Sequence, residues 1–424
     1  MDERLPGTEP SDREQTVCHV DMDCFYAACE RLKEPALEGE PLVVGMGFEA
    51  GETHGAVATA SYEAREFGVE SAMAISKALE LLPRKVTAAD DPEIDVDEAG
   101  FYRPVDMDFY QSVAADVKEI LHDTADTVRE VSIDEAYLDV TETVAWDEVE
   151  SFASDLKARI REEVGVEASI GVAPTMSAAK IASDHDKPDG LVVVEPGEVR
   201  DFLAPLDVEE VHNVGPVTAR ELRSMDIETA GDLAAADPDR VSETFGERGR
   251  EIWKYARGED DRSVEPVGKP KSLSRESAFT SATDDPEAVA DRVRALADDV
   301  AERASRKGAL YQTIGIKVVT PPFDIHTRAD SLPGPIEEPD LVEEVALDLL
   351  TEFQGERVRK VGVRVSNLEF ADNEQASLDG FENATAREAT PRENRSLNEF
   401  TPGQTATDEA DEDPSGQTSL GDFG

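Results

Sequence analysis

VREVSIDEAYLDV occupies residues 128–140. Apolar and polar side chains alternate on both sides of its centre. The stretch therefore reads as two strands around a tight turn, with an acidic pair, Asp134 and Glu135, at the turn. The chain around it fits the same plan. Residues 16–22 (TVCHVDM) read as a strand ending in acids, and 23–33 as a short helix. Helical periodicity returns at 105–123 and 147–164; VEASIGVA (166–173) reads as a strand, MSAAKIASDHDK (176–187) as a helix and GLVVVE (190–195) as a strand. Strand–helix–strand–strand–helix–strand is the ferredoxin-like order, which predicts an α+β layer with its helices on one face of the sheet.

Between the first strand and this core, 41–46 (PLVVGM) and 55–60 (GAVATA) read as strands and 61–82 as mainly helical. The acidic stretch 87–100 (TAADDPEIDVDEAG) reads as a surface insertion. Residues 200–258 are helical with short turns; within them VHNVGPVTARELRSMDIETAGDLA (211–234) has the pattern of a helix-hairpin-helix, whose turn amides can hold a DNA phosphate. Asn213 stands where such hairpins often carry Gly. The polar, proline-containing 259–272 reads as a linker, and 273–371 as a second α+β domain. The polar ends, 1–15 and 372–424, have little to bury and are expected to be disordered.

A chain of 424 residues exceeds one ordinary core, so several domains are expected. No run of 18 or more apolar residues predicts a membrane span. The N-terminus lacks an apolar signal core, and a cytoplasmic location follows. Cys18, Cys24 and Cys29 show no C-x-x-C spacing and read as small buried hydrophobes in a reducing compartment rather than a zinc site. The net charge of −53 would cause strong self-repulsion at ordinary salt. Molar salt shortens the screening length to about 3 Å and removes that penalty, so the composition implies a halophilic cytoplasm. An apolar content of 39% argues against disorder as the source of the acidity. Net acidity weighs against a nucleic-acid partner, yet basic residues cluster at Lys269, Lys271 and Arg275, at Arg303, Arg306 and Lys307, and at Arg357, Arg359, Lys360 and Arg364.

Two acidic constellations lie inside apolar strands: Asp21 with Asp23, which period-2 geometry puts on one face of a strand end, and Asp134 with Glu135. A sheet would bring Asp21, Asp134 and Glu135 together. Clustered carboxylates repel unless cations sit among them, and Mg²⁺ takes such oxygens together with substrate phosphates. Two such ions about 3.5–4 Å apart stabilise the attacking and leaving oxygens of a phosphoryl transfer. In TASYEARE (59–66), Tyr62 and Arg65 share one helix side, with Thr59 just before. A guanidinium, a phenol and a hydroxyl suit a triphosphate, and Lys187 adds a point charge.

VDMDCFYA (20–27), ATASYEAREFGV (58–69), SIDEAYLDV (132–140) and APTMSAAKIASDHDKPDG (173–190) occur in order. Together they resemble the motifs of Y-family DNA polymerases, nearest the DNA polymerase IV branch, and the resemblance spans roughly 16–370. It implies low-fidelity, template-directed extension of primers across damaged DNA. The implied parts are a ferredoxin-like palm (16–32 and 95–195), fingers (33–94), a helix-hairpin-helix thumb (196–258), a linker (259–272) and an α+β little finger (273–371). By the same resemblance, Asp21, Asp134, Glu135 and the Met22 carbonyl hold two Mg²⁺ ions, with Glu135 as the acid most often named catalytic. Tyr26 is the steric gate against a 2′-OH, with Phe25 beside it, and Ser132 tunes the acidic turn. Thr59, Tyr62, Arg65 and Lys187 meet the dNTP triphosphate. Val214, Gly215, Val217, Thr218 and Arg220 face the primer-template DNA.

At the C-terminus, QTSLGDF (417–423) resembles the peptide that docks on a sliding clamp of the PCNA type. One 3₁₀ turn puts Leu420 and Phe423 on one side and leaves Gln417 for a polar pocket. QASLDGF (375–381) and NRSLNEF (394–400) echo it. Phosphate contacts weaken steeply with salt, so a tethered clamp site suits a halophilic polymerase that works as a monomer. Two rivals use some of these parts. A nucleotidyl cyclase has a palm with paired acids but needs neither thumb nor little finger, and a silent clamp-bound scaffold would lose the acids.

Overall fold

The computed structural model describes residues 15–370; the clamp-peptide residues Gln417, Leu420 and Phe423, both inner repeats and nearly all of the polar N-terminus lie outside them. The chain divides into two compact units that meet in sequence at Val267 and Gly268.

The first unit begins β1 (Val17–Met22), α1 (Phe25–Lys33), β2 (Leu42–Met46), β3 (Ala56–Ala60), α2 (Tyr62–Glu66), α3 (Ile75–Leu81), α4 (Lys85–Asp90) and β4 (Phe101–Pro104). It continues α5 (Met107–Thr124), β5 (Thr127–Glu130), β6 (Glu135–Asp139), α6 (Val149–Glu163), β7 (Ala168–Ala173), α7 (Met176–His185) and β8 (Leu191–Val193). Five short helices follow: α8 (Val199–Leu203), α9 (Pro216–Ser224), α10 (Ala230–Ala235), α11 (Pro238–Phe245) and α12 (Glu247–Ala256).

The main sheet runs β5-β6-β1-β7-β8. Its first four strands, taken in chain order, have the ferredoxin-like arrangement, and α7 adds β8 parallel to β7. Helices cover both faces, contrary to the one-faced layer read from the sequence. Cys18, Val20 and Met22 of β1 pack with Ala136, Leu138, Ile170 and Val172 in the core that holds α5 and α6. Val17, Tyr137 and Ala173 pack instead with α7 and the helices after it. The pleat alternates, so one strand serves two cores. Gly171 explains how close α7 comes: a Cβ there would lie 2.1 Å from the Ala179 carbonyl oxygen and 2.2 Å from the Ser183 nitrogen, both backbone atoms of α7.

A second sheet, β3-β2-β4, includes Phe101–Pro104, a strand that the sequence reading left inside the palm segment; it pairs parallel with β2. Four residues ending in Pro give too little alternation to be seen. The acidic 87–100 stretch is not a loose insertion either. It supplies part of α4 and a 3₁₀ turn (Val96–Glu98), and its small residues Ala88 and Ala99 are buried. The linker reading fails for its first residues as well. Val264 is buried in the core shared with α7, and Asp260 accepts a hydrogen bond from the Ser177 amide while pairing with Arg262.

The second unit is β9 (Ser272–Thr283), α13 (Pro286–Arg306), β10 (Ala309–Thr320), β11 (Asp324–Ile336), α14 (Pro339–Leu350) and β12 (Val358–Phe370). Its antiparallel sheet runs β11-β10-β12-β9, and both helices join its core, α13 through Val289, Val293, Leu296 and Val300 and α14 through Val342, Val345 and Leu349. Basic side chains of this sheet pair internally: Lys317 and Lys360 with Glu276, and Arg328 with Glu352. No helix among the described residues is long and apolar enough to cross a membrane.

Candidate active site

Antiparallel pairing of β1 with β6 sets Asp21 directly opposite Glu135, and the Met22 amide donates to the Asp134 carbonyl at 3.0 Å. The end of β1 and the turn before β6 therefore meet. Ser132 shapes that turn, its hydroxyl oxygen accepting from the amides of Asp134 (3.2 Å) and Glu135 (3.1 Å) and touching the Asp134 carboxylate. Beside the turn lies a cavity of about 220 Å³ lined by Asp21, Met22, Phe25, Tyr26, Thr59, Tyr62, Arg65, Asp134 and Lys187, among others. Every candidate metal and nucleotide residue read from the sequence reaches it except Glu135. That side chain stands next to Asp21 and meets Lys180.

Lys180 is the residue that sequence reading missed. Its ammonium lies 2.9 Å from Asp21 Oδ2 and also bonds Glu135 Oε1, while Lys187 lies 2.6 Å from Asp21 Oδ1. Asp184 pairs with both lysines. Lys180 and Asp184 share one side of α7, an i, i+4 spacing visible in the sequence, while Lys187 lies just past the helix end at His185.

The charges respond accordingly. Burial works against ionised Asp21, but Lys180 and Lys187 outweigh it and hold the carboxyl well below its usual range. Burial pushes Glu135 up to about 7, with Lys180 opposing and Asp21 reinforcing. Asp134 is raised by burial, against the Ser132 hydrogen bond and with the Asp21 charge. Among the described residues, no three acidic, His or Cys side chains are close enough to hold an ion unaided. The donor chemistry still fits a hard divalent cation: the groups are carboxylate oxygens, and burial disfavours the ionised form of two of them, a penalty that a bound cation would offset.

Asp23 does not share a face with Asp21 in the way the period-2 reading predicts. β1 ends at Met22, and Cys24 takes a left-handed φ of 46°, so the chain turns into α1. The Asp23 carboxylate instead accepts from Ser169, from the Asp189 amide and from the Tyr62 hydroxyl. The Tyr62 ring lies under the Arg65 guanidinium, 4.7 Å from it, and Arg65 Nε donates to the Ala60 carbonyl. Tyr26 is stacked on Tyr110 (4.7 Å, 23° between rings), and Tyr110 donates to Glu30 at 2.7 Å. Tyr110 is thus a second supporting residue that sequence reading passed over as plain helix. Phe25 is buried beside Tyr26, 6.0 Å between centroids.

Asn213, noted as a departure from the hairpin pattern, adopts φ 66°. The turn needs a left-handed residue, and Asn is among the few side chains that accept one. Gly215 precedes α9, with Val217 and Arg220 exposed and Val214 and Thr218 buried. The hairpin's first arm is only a 3₁₀ turn, Val208–Glu210.

The impB/mucB/samB family matches residues 20–184, its helix-hairpin-helix motif 196–227 and its C-terminal domain 270–378. A DNA polymerase IV of Halobacterium salinarum is 62% identical over 379 residues, 89% of this chain and 91% of the relative. The chain belongs to the DNA polymerase IV branch of the Y family. Another DNA polymerase IV, from Methanoculleus marisnigri, is 41% identical over 366 residues, covering 86% of this chain and 98% of the relative. A solved structure, the Y-family DNA polymerase chimera Dbh-Dpo4(243-245)-Dbh, has 29% identity and a TM-score of 0.72 over 84% of this chain and all of its own. The insertion ternary complex of Dbh DNA polymerase has 28% identity and a TM-score of 0.59 with the same coverage. The chain is accordingly a DNA-directed DNA polymerase of the translesion type, and dependence on a divalent metal goes with its DNA polymerase IV relatives.

Proposed function

We propose that the cavity beside Asp21 and Asp134 is where a dNTP is joined to a primer, and that Mg²⁺ is the metal. Its carrying observation is the β1–β6 register, which sets Asp21 opposite Glu135 and next to the Asp134 turn. Asp21, Asp134, Glu135 and the Met22 carbonyl would hold two Mg²⁺ ions. When bound, these ions stabilise the attacking and leaving oxygens of an in-line phosphoryl transfer. The primer 3′-oxygen bonds to the α-phosphorus, its proton passes to solvent water, and the bond to the departing pyrophosphate breaks. Arg65, Lys187, Tyr62 and Thr59 orient the triphosphate, since they line the same cavity as the acids. Tyr26, backed by Tyr110, bears on the sugar and excludes a 2′-OH.

Primer-template DNA is the proposed partner, with the 213–220 turn offering amides to a phosphate. The 417–423 segment is proposed as a tether to a PCNA-type clamp, and the protein as a cytoplasmic monomer with the domain limits given above, save that β4 joins the fingers sheet and the linker begins after Val264. A primer-extension assay in molar salt tests the site. Wild type extends the primer as the template directs, and Asp134→Ala loses at least roughly 10³-fold of that rate while staying folded. Undiminished extension by the variant would move the chemistry elsewhere.

A further inference from the structure

We infer that Asp23, the acid that faces away from Asp21, is a positioning residue that fixes both cations of the nucleotide cavity; this rests on reading that cavity as the dNTP site. Asp23 is buried, 6% exposed, at the junction of β1 and α1. Its Oδ2 accepts from the Asp189 amide at 2.7 Å, and Ser169 Oγ, 2.9 Å from the same oxygen, accepts in turn from the Gly190 amide at 3.0 Å. The backbone just after Lys187 is therefore held twice. Lys157 and Arg161 grip the same turn from outside, through the Gly190 carbonyl and the Asp189 carboxylate. Asp23 Oδ1 accepts from the Tyr62 hydroxyl at 3.1 Å, and the Tyr62 ring carries the Arg65 guanidinium. One carboxylate thus governs Lys187 through its following turn and Arg65 through a phenol. Neither cation touches Asp23 in the described contacts, so the effect is on placement.

Three alternatives give different kinetics. Charge held within about 1 Å of its proper place is worth up to about 10²-fold in rate. Asp23→Ala leaves three donors without their acceptor, and the KM for dNTP should rise about 10–100-fold, with kcat within about threefold. Asp23→Asn keeps an acceptor for the Asp189 amide, and its amide group can donate to the two hydroxyls, so it should restore KM to within a few-fold. Ser169→Ala cuts one arm away from the cavity and should raise KM about two- to fivefold. Ser169→Ala carries the test if Asp23→Ala does not fold. Two results overturn the inference. One is an unchanged KM in folded Asp23→Ala and Ser169→Ala, the signature of bulk stability alone. The other is an Asp23→Asn protein as impaired as Asp23→Ala with a shifted divalent-ion midpoint, the signature of a metal ligand. Failure of wild type to extend primers would instead remove the nucleotide-site reading itself.

Discussion

Strand β1 has two faces with opposite characters. Cys18, Val20 and Met22 sink into an apolar core with α5 and α6. Val17, His19 and Asp21 alternate with them toward α7, and there the contacts become polar: His19 Nδ1 pairs with Ser183 at 2.7 Å, and Asp21 with two lysines. The same backbone and the same burial yield a packing surface on one side and a charged one on the other. The apolar face holds the sheet together through area removed from water. The polar face gains little from burial, because every charge there has to be matched. The difference teaches that stability and chemistry are separated by one residue of register in this sheet, and that a helix on the chemical face supplies the missing positive charge.

The sharpest way to break that separation is one substitution on each face. Asp21→Asn keeps shape and removes charge; extension should fall at least about 10³-fold, equivalent to about 4 kcal/mol of barrier. Leu138→Ala on the other face deletes a fully buried side chain. It should cost about 3 kcal/mol of stability, read by denaturant midpoint, with the rate per folded molecule within about threefold. A Leu138→Ala protein that stays stable but loses its rate would show that the faces are not independent.

Much of this was legible before any coordinates. The acids Asp21, Asp134 and Glu135 could be placed because period-2 strands and a tight turn leave few ways to pair them. Helix α7 could be recognised but not sided: MSAAKIASDH carries small residues on several sides, so its apolar stripe is wide and its sheet face ambiguous. That ambiguity hid Lys180. Asp23 was misjudged for another reason. Strand periodicity assumes the strand continues, but β1 ends at Met22, one residue before Asp23, and the left-handed Cys24 turns the chain into α1 with no Gly to announce it. Phe101–Pro104 escaped because a strand is specified by its neighbour β2, 55 or more residues earlier in the chain, rather than by its own four residues.

A second test sharpens the role of α7. Gly171→Ala places a methyl carbon against the backbone of Ala179 and Ser183, which cannot swing aside like a side chain. α7 must lift from the sheet, taking Lys180 with it. The expected loss is about 2–3 kcal/mol by thermal or chemical unfolding. Unlike Leu138→Ala, the folded fraction should also need a different divalent-ion concentration for half-maximal extension, because Lys180 no longer matches Asp21 and Glu135 as before. A stability loss with an unchanged ion midpoint would detach α7 from the site.

The smallest expected effect is a dependence on pH confined to the α7 side. His212 stacks edge-on against Tyr255 at 5.2 Å, and burial, then the Arg262 charge, pushes it down to about 4, with Asp260 and Asp184 opposing and Lys180 assisting. His19, fully buried, is lowered in the same direction, chiefly by burial. A histidine with a lowered folded pKa binds its proton more readily when unfolded. Its contribution to stability is therefore complete above about 6.5 and is lost as pH falls from there toward 4. Glu135 works the other way, because its raised value lets the folded state take up a proton between about 4.5 and 7. The comparison of His212→Phe with wild type isolates one histidine from both. At about 1.36 kcal/mol per pH unit the bound for His212 is roughly 3 kcal/mol, and about 1–2 kcal/mol is expected for a ring that keeps some contact with solvent. Stability measured at pH 7 and pH 5 should therefore fall by less in His212→Phe than in wild type. Equal falls would mean that the acid sensitivity of this side comes from His19 alone, and that the hairpin segment carrying His212 opens without taking up a proton.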